Sequence, residues 1–209
     1  MDASCFIAGL TLLLGSACQS HKSWDMEPFL RHSPSSILVL PPVDATLELD
    51  GSSMVLASIT QPLAEQGYYV FPVALVQSML LENGLPTPDD MHSVSLENLQ
   101  EVFDPDAVLY LTIEEWGTDY HAITSRTQVA VSGRLLDAGT GEVLWKGRAQ
   151  RSQSSGGAGG GWFGALAVAL ATQVLSTKGE ASRELAAGVC HDLIRSRRDG
   201  LLEGPYRSE

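Results

Sequence analysis

Ser36-Ile-Leu-Val-Leu-Pro-Pro42 and Gly67-Tyr-Tyr-Val-Phe-Pro72 frame the segment whose reading decides the fold. The first is a short apolar run rich in branched residues and stopped by two prolines, the pattern of a strand buried on both faces. Tyr68–Phe71 reads as a second strand, ending at Pro72. Between them Ser52 or Ser53 can cap a helix running to about Gln66, with Val55, Ile59 and Leu63 on one face and Gly67 as its stop. Pro62 lies inside that helix and is expected to kink or shorten its last turn. Strand, helix, strand is a βαβ unit, which favours a parallel pair.

The same punctuation carries the reading outward. Ala74–Asn83 predicts a helix ended by Gly84, and 85–94, with Pro86, Pro88 and paired aspartates, reads as a loop. Ser95 caps a short helix to Phe103. Ala107–Ile113 is the strongest strand signal and continues to Tyr120, with a bend or bulge expected at Gly117. Thr127–Leu136 and Val143–Ala149 flank glycines 139 and 141 and read as a hairpin. Its alternation sends Val129, Val131, Leu135, Val143 and Trp145 one way and Arg126, Arg134, Lys146 and Arg148 the other, giving a basic ribbon. Glu180–Arg197 forms an amphipathic helix with Ala181, Leu185, Val189 and Leu193 in one stripe, and 199–209 reads as a frayed, flexible tail. The expected fold is a single α/β domain over 36–198, two- or three-layered. Its mixed sheet combines an N-terminal βαβ unit with a C-terminal antiparallel hairpin and is packed by helices.

One stretch fits this frame less simply. Gly156-Gly-Ala-Gly-Gly-Gly161 leads into Trp162–Leu175, which carries no charge. If helical it is apolar all round and belongs in a core, at an interface or against lipid. At fourteen residues it is short of the roughly twenty needed to span a bilayer. Trp162, Phe163, Gly164, Ala165 and Ala169 are the candidate interface residues, the small ones offering close approach to another backbone.

The N-terminus addresses location. Phe6–Ala17 has the length of a signal-peptide apolar region, and Leu14-Gly-Ser-Ala-Cys18 resembles the cleavage box of bacterial lipoproteins. Its leucine stands one residue further back than usual, and no Lys or Arg lies among the first four residues. Residues 1–17 then read as signal peptide and 18–35 as a tether lipidated on Cys18, whose two or three acyl chains hold a membrane firmly. Gln19 beside Cys18 resembles the signal for release to the outer membrane. Cys190 is left without an intrachain disulfide partner.

Charge excludes one class of function. The net charge is −12, and between Arg31 and Arg126 fourteen acids occur with no Lys or Arg. Such a surface repels phosphate backbones, so no nucleic-acid partner is expected. Chemistry is equally thin. The five histidines show no metal-ligand spacing, and there is no nucleophile motif or P-loop. Cys190 and His191 diverge by about 100° on a helix, Glu114 and Glu115 as strand neighbours face opposite sides, and Gly159-x-Gly161-x-x-Gly164 lacks the strand and acidic residue of a dinucleotide site. No catalytic residue, metal ligand or cofactor is expected.

Several segments together resemble a family of bacterial outer-membrane lipoproteins of unknown function. They are Ile37–Pro42, Gly67–Pro72, Ala107–Tyr120 with its Trp116-Gly-Thr core, Gly133–Gly147, and the glycine-rich lead into small residues. The resemblance implies a compact α/β domain related to the N-terminal domain of the Tol propeller protein and to the periplasmic part of the curli-secretion lipoprotein. It also implies an envelope protein partner of that secretion type and no catalytic residues. The expected function is a non-enzymatic subunit or adaptor of an envelope transport, secretion or assembly complex. The chain would lie on the periplasmic face of the outer membrane, anchored through Cys18, with a homo-oligomer as a further option. The alternative is a periplasmic small-ligand-binding module with a pocket around Trp116 and Tyr120.

Overall fold

The computed structural model describes residues 24–46, 51–121, 124–155 and 178–207. Its described helices are α1 (Glu27–His32), α2 (Gly51–Glu65), α3 (Val73–Glu82), α4 (Pro88–His92), α5 (Leu96–Phe103) and α6 (Lys178–Arg195). The strands are β1 (Ser36–Val39), β2 (Val43–Asp44), β3 (Tyr69–Val70), β4 (Ala107–His121), β5 (Thr124–Asp137) and β6 (Val143–Ser155). They form one mixed sheet in the order β3-β1-β4-β5-β6. β1 is parallel to both β3 and β4, as the βαβ reading requires, while β4, β5 and β6 are an antiparallel meander.

Alternation along β1 and β4 divides the core in two. Ile37, Val39, Ala107, Leu109, Leu111 and Ile113 face α2 and α6, where Val55, Ile59, Leu63, Leu185, Val189 and Leu193 meet them. Leu38, Leu40 and Val108 face the other way, onto Val76, Leu80, Met91 and Leu99 of α3, α4 and α5. The sheet is therefore the middle of three layers at β1 and β4. Proline interrupts the ladder without ending it: Leu40 N donates to Leu109 O at 3.1 Å, and after Pro41-Pro42 β2 resumes beside β4, with Ala45 N donating to Ile113 O at 3.1 Å.

Several expectations are corrected. Residues 85–94 are not all loop. Thr87 caps α4 in a reciprocal box, its hydroxyl accepting from Asp90 N at 3.2 Å while Asp90 Oδ2 accepts from Thr87 N at 3.2 Å. The prolines and aspartates that suggested a turn are a first-turn signature, with Pro88 at a position where no N–H is needed. Pro62 does not cut α2 short, because the helix runs on to Glu65.

The bulge in β4 falls on Glu114, between the pairs Ile113↔Val131 and Glu115↔Ala130, three residues before Gly117. A second irregularity in β6 inserts Leu144 between Val143 and Trp145. Leu144 consequently joins Trp145 in the core and Val143 turns outward, 37 % exposed. Trp145 is accommodated by two glycines: a Cβ on Gly147 would stand 2.2 Å from its ring and one on Gly133 3.0 Å. Its indole N–H donates to Asp199 O at 2.8 Å.

Both ends of the domain extend beyond the expected bounds. Within the stretch read as tether, Phe29 of α1 is buried and Trp24 packs edge-on against it at 6.0 Å. At the other end the expected frayed tail is seated. Tyr68 Oη donates to Leu202 O at 2.7 Å, Gly204 N to Gln66 O at 2.8 Å and Tyr206 N to Gly67 O at 3.0 Å. Gly67 has φ +96, and a Cβ there would stand 2.4 Å from Arg207 N. The stop of α2 is thus also the landing site of the C-terminus.

Asp106 fixes the start of β1. Its Oδ2 accepts from Ser35 N (2.9 Å), Ser35 Oγ (2.5 Å), Ser36 N (2.9 Å) and Ser36 Oγ (3.0 Å). Partial burial alone would raise its pKa, but these four donors outweigh it and hold the carboxyl below its ordinary value. A depressed folded-state pKa contributes stability above the unfolded value, near 3.8, that is lost as pH falls through the folded one. Asp106→Asn is therefore expected to lower unfolding stability by about 1 kcal/mol at neutral pH. In urea melts the gap to wild type should close as pH falls below the unfolded value; a gap independent of pH would contradict the assignment.

Candidate functional site

The described residues hold no group of three or more His, Cys, Asp or Glu placed to bind a metal. The sites worth building up are mechanical: a clamp between α1 and the hairpin turn, and a groove between α2 and α6.

The clamp begins with the turn after β5. Asp137 Oδ2 accepts from Thr140 N and Thr140 Oγ1, both at 2.8 Å, and Asp137 N donates to Glu142 O at 2.9 Å. Gly141, at φ +73, takes the left-handed position this turn requires. With the turn closed, Asp137 and Glu142 both face the last turn of α1. His32 Nδ1 lies 2.9 Å from Asp137 Oδ1, and its Nε2 lies 2.9 Å from Glu142 Oε2. Arg31 Nη1 adds contacts of 3.1 and 3.3 Å to the two Glu142 oxygens. The sequence segment that follows Cys18 is thereby fastened to the far end of the sheet.

The groove has a volume of about 770 Å³. Ser53, Ala57 and Gln61 of α2 and Arg183, Ala187 and His191 of α6 line it, each set at four-residue spacing and so on one helix face. Beneath it the two helices touch closely, with Cys190 Sγ 3.8 Å from Val55 O. Burial pushes the Cys190 thiol up to about 12, which makes it a packing group without thiolate reactivity. His191 next to it is exposed. At one end of the groove Glu65 accepts from Gln61 at 2.8 Å and from Arg195 at 3.1 Å, and these donors hold its carboxyl below the ordinary range.

Trp116 lies elsewhere. It is partly buried, packs onto the core between sheet and α2, and stands 3.4 Å from where a Gly51 Cβ would be. Tyr120 lies on β4 opposite Ser125, and its side chain is outside those described. Glu114 and Glu115 do not diverge as strand neighbours should. The bulge brings both within reach of Arg148, whose Nε donates to Glu114 Oε2 at 2.6 Å and whose Nη2 is 3.9 Å from Glu115 Oε1. Gln128 and Gln150 also donate to Glu115. The expected basic ribbon is partly neutralised: Arg148 is paired, Arg134 lies 5.5 Å over the Tyr110 ring, and Lys146 is exposed. Arg126 has no described side chain. Cys18, Trp162, Phe163, Gly164, Ala165 and Ala169 all lie outside the described residues.

Fold and site together define a mixed α/β domain held at its N-terminal entry. Residues 24–206 match the family described as "Putative lipoprotein GNA1162-like", and the chain belongs to that family. It is 37% identical over 203 residues to "Putative lipoprotein NMB1124/NMB1162" of Neisseria meningitidis serogroup B, covering 95% of this chain and 94% of that one. The crystal structure of lipoprotein GNA1162 from Neisseria meningitidis is 40% identical with a TM-score of 0.57, covering 68% of this chain and 99% of that chain. The PelC dodecamer from Paraburkholderia phytofirmans, 16% identical at a TM-score of 0.44 and covering 77% of this chain and 88% of that chain, is too distant to carry an argument.

Replacing His32 with Ala should cost about 1 kcal/mol of stability, the scale of a side-chain hydrogen-bonded contact that is partly solvated. The loss should be localised, with faster amide hydrogen exchange in α1 and the 137–142 turn. Unchanged exchange in both segments would show that the clamp does not hold α1.

Proposed function

We propose that this chain is a non-enzymatic, lipid-anchored subunit or adaptor of a cell-envelope transport, secretion or assembly complex. It would be held by Cys18 to the periplasmic face of the outer membrane. The observation that carries the reading is membership of a lipoprotein family over residues 24–206, with Leu14-Gly-Ser-Ala-Cys18 just upstream.

The structure adds a constraint on how such an anchor would act. Trp24 is the first described residue, and five residues, 19–23, separate it from Cys18. Six residue steps reach at most about 20 Å, which keeps the domain against the bilayer instead of leaving it to swing on a long leader. The clamp of Arg31 and His32 on Asp137 and Glu142 then passes any pull on the anchor into the sheet. An adaptor that presents one surface to an envelope partner needs that fixed orientation. The polar, acidic exterior supports a protein partner over nucleic acid, and a partner of the curli-secretion lipoprotein type is the one the family resemblance implies.

Metabolic labelling with radioactive palmitate tests the anchor. Wild type should take up label and sediment with membranes, and Cys18→Ala should do neither. Equal labelling of the two, or none in either, overturns anchoring through this residue.

A further inference from the structure

Exposed apolar side chains gather on one side of the sheet. Among the described residues seven large ones are exposed, and four of them, Tyr69, Leu75, Leu81 and Val102, belong to β3, α3 and α5. At the sheet edge aromatic rings join them into a continuous surface. β3 is the outermost strand, and its Tyr69 meets Phe71 edge-on at 5.2 Å, while Phe71 meets Phe103 edge-on at 6.4 Å. Tyr69 is 53 % exposed, and Val102, next to Phe103 in α5, is 59 % exposed.

The charge around these rings has a single sign. Residues 69–104 contain Glu82, Asp89, Asp90, Glu97, Glu101 and Asp104 and no Lys or Arg. Glu101 and Asp104 bracket Val102–Phe103, both are exposed, and neither is ion-paired among the described residues. The cations on either flank are engaged. Arg207 of the C-terminal segment contacts Glu203 at 3.0 Å and Gln66 at 3.2 Å, and Arg134 lies over Tyr110 from β5, three strands away from β3.

We infer that the surface running from Tyr69 through Phe71 and Phe103 to Val102 docks a basic segment of a partner protein, with Lys or Arg beside aliphatic side chains. The inference rests on the adaptor reading and adds the chemistry of the partner. Aliphatic groups of such a segment cover the exposed rings and Val102, and its cations reach ring faces and the two free carboxylates. Charge selects this occupant over two others. A second copy would set the same acids against Glu101 and Asp104, and an anionic bilayer surface is repelled by them.

The backbone of the edge strand supports an extended segment. Tyr69 N donates to Ser35 O at 2.9 Å and Phe71 N to Ile37 O at 3.3 Å. In a parallel ladder the N–H and C=O of the residue between them, Val70, then point away from β1. A partner strand laid along β3 meets these groups while its side chains reach the rings.

Fluorescence anisotropy on the full chain tests the proposal with two synthetic ten-residue peptides, one alternating Arg with Leu and the other Gln with Leu. Three double variants are compared with wild type once thermal melts show that they fold. Tyr69→Ser with Val102→Ser removes apolar contacts, and Glu101→Gln with Asp104→Asn removes charge, Asn being tolerated at the left-handed φ of +49 at position 104. The control, Leu30→Ser with Glu184→Gln, removes an exposed apolar group and an exposed acid elsewhere. The Arg peptide should bind wild type more tightly than the Gln peptide does. Both surface variants should weaken it by about fivefold or more, and the control by less than about twofold. No binding to wild type, equal binding of the two peptides, or equal weakening in surface variants and control would overturn the proposal. Self-association of wild type that Tyr69→Ser with Val102→Ser abolishes would place a second copy on this surface and overturn it as well. Palmitate labelling at Cys18 is a separate readout, so anchor and docking surface can fail independently.

Discussion

Two strands that cannot meet water on either face set the rest of the structure. β1 and the first half of β4 present Ile37, Val39, Leu109 and Leu111 to one side and Leu38, Leu40 and Val108 to the other, all at 1 % exposure or less. Each such side chain gains roughly 1.5–3 kcal/mol from burial, and that gain is available only if both faces are covered. Helices α2 and α6 on one face and α3, α4 and α5 on the other follow from it. β5 and β6 leave this doubly covered region, so their second face turns polar with Arg134, Lys146 and Arg148. The change from a three-layer to a two-layer domain takes place along a single sheet.

Within that frame the two bulges act as register devices. A strand has period two, so one inserted residue moves every later side chain to the opposite face. Glu114 makes that correction in β4, and Trp116 meets the core as a result. Leu144 makes it in β6, where the exchange of Leu144 for Val143 lets Trp145 lie over Gly133 and Gly147. The glycine pair and the indole are therefore one packing unit spread over two strands, and the Trp145 N–H extends it to Asp199 beyond α6.

How much of this was legible in the sequence depends on the range of the interactions. β1, α2, β3 and α3 are bounded by prolines and glycines whose effect is local, and their order was readable residue by residue. Helix α4 was readable too, through Thr87, Pro88 and Asp90, but the same residues also signal a turn. The bulges were not, since nothing local distinguishes Glu114 from Glu115 until Arg148, Gln128 and Gln150 are brought alongside. The α1 clamp joins His32 to Asp137 and Glu142 across more than a hundred residues, and the C-terminal tail meets Gln66 and Tyr68 across a similar gap. Polar composition made both ends look like leader and fray, although Phe29 and Leu201 are the buried residues that hold them. Trp116 packs against the core, partly buried, through the bulge at Glu114, a placement that depends on a register shift with no local signal.

The doubly buried strands should be the last part of the molecule to open. Native-state hydrogen exchange read residue by residue tests this most directly. The amides of Leu38–Leu40 and Val108–Leu111, among them Leu40 N on Leu109 O, should exchange only through global unfolding. Those of Gln150–Gln153 on the outer strand β6 should exchange through smaller openings. Equal or faster exchange at β1 and β4 than at β6 would contradict the claim that burial on both faces of these two strands organises the fold.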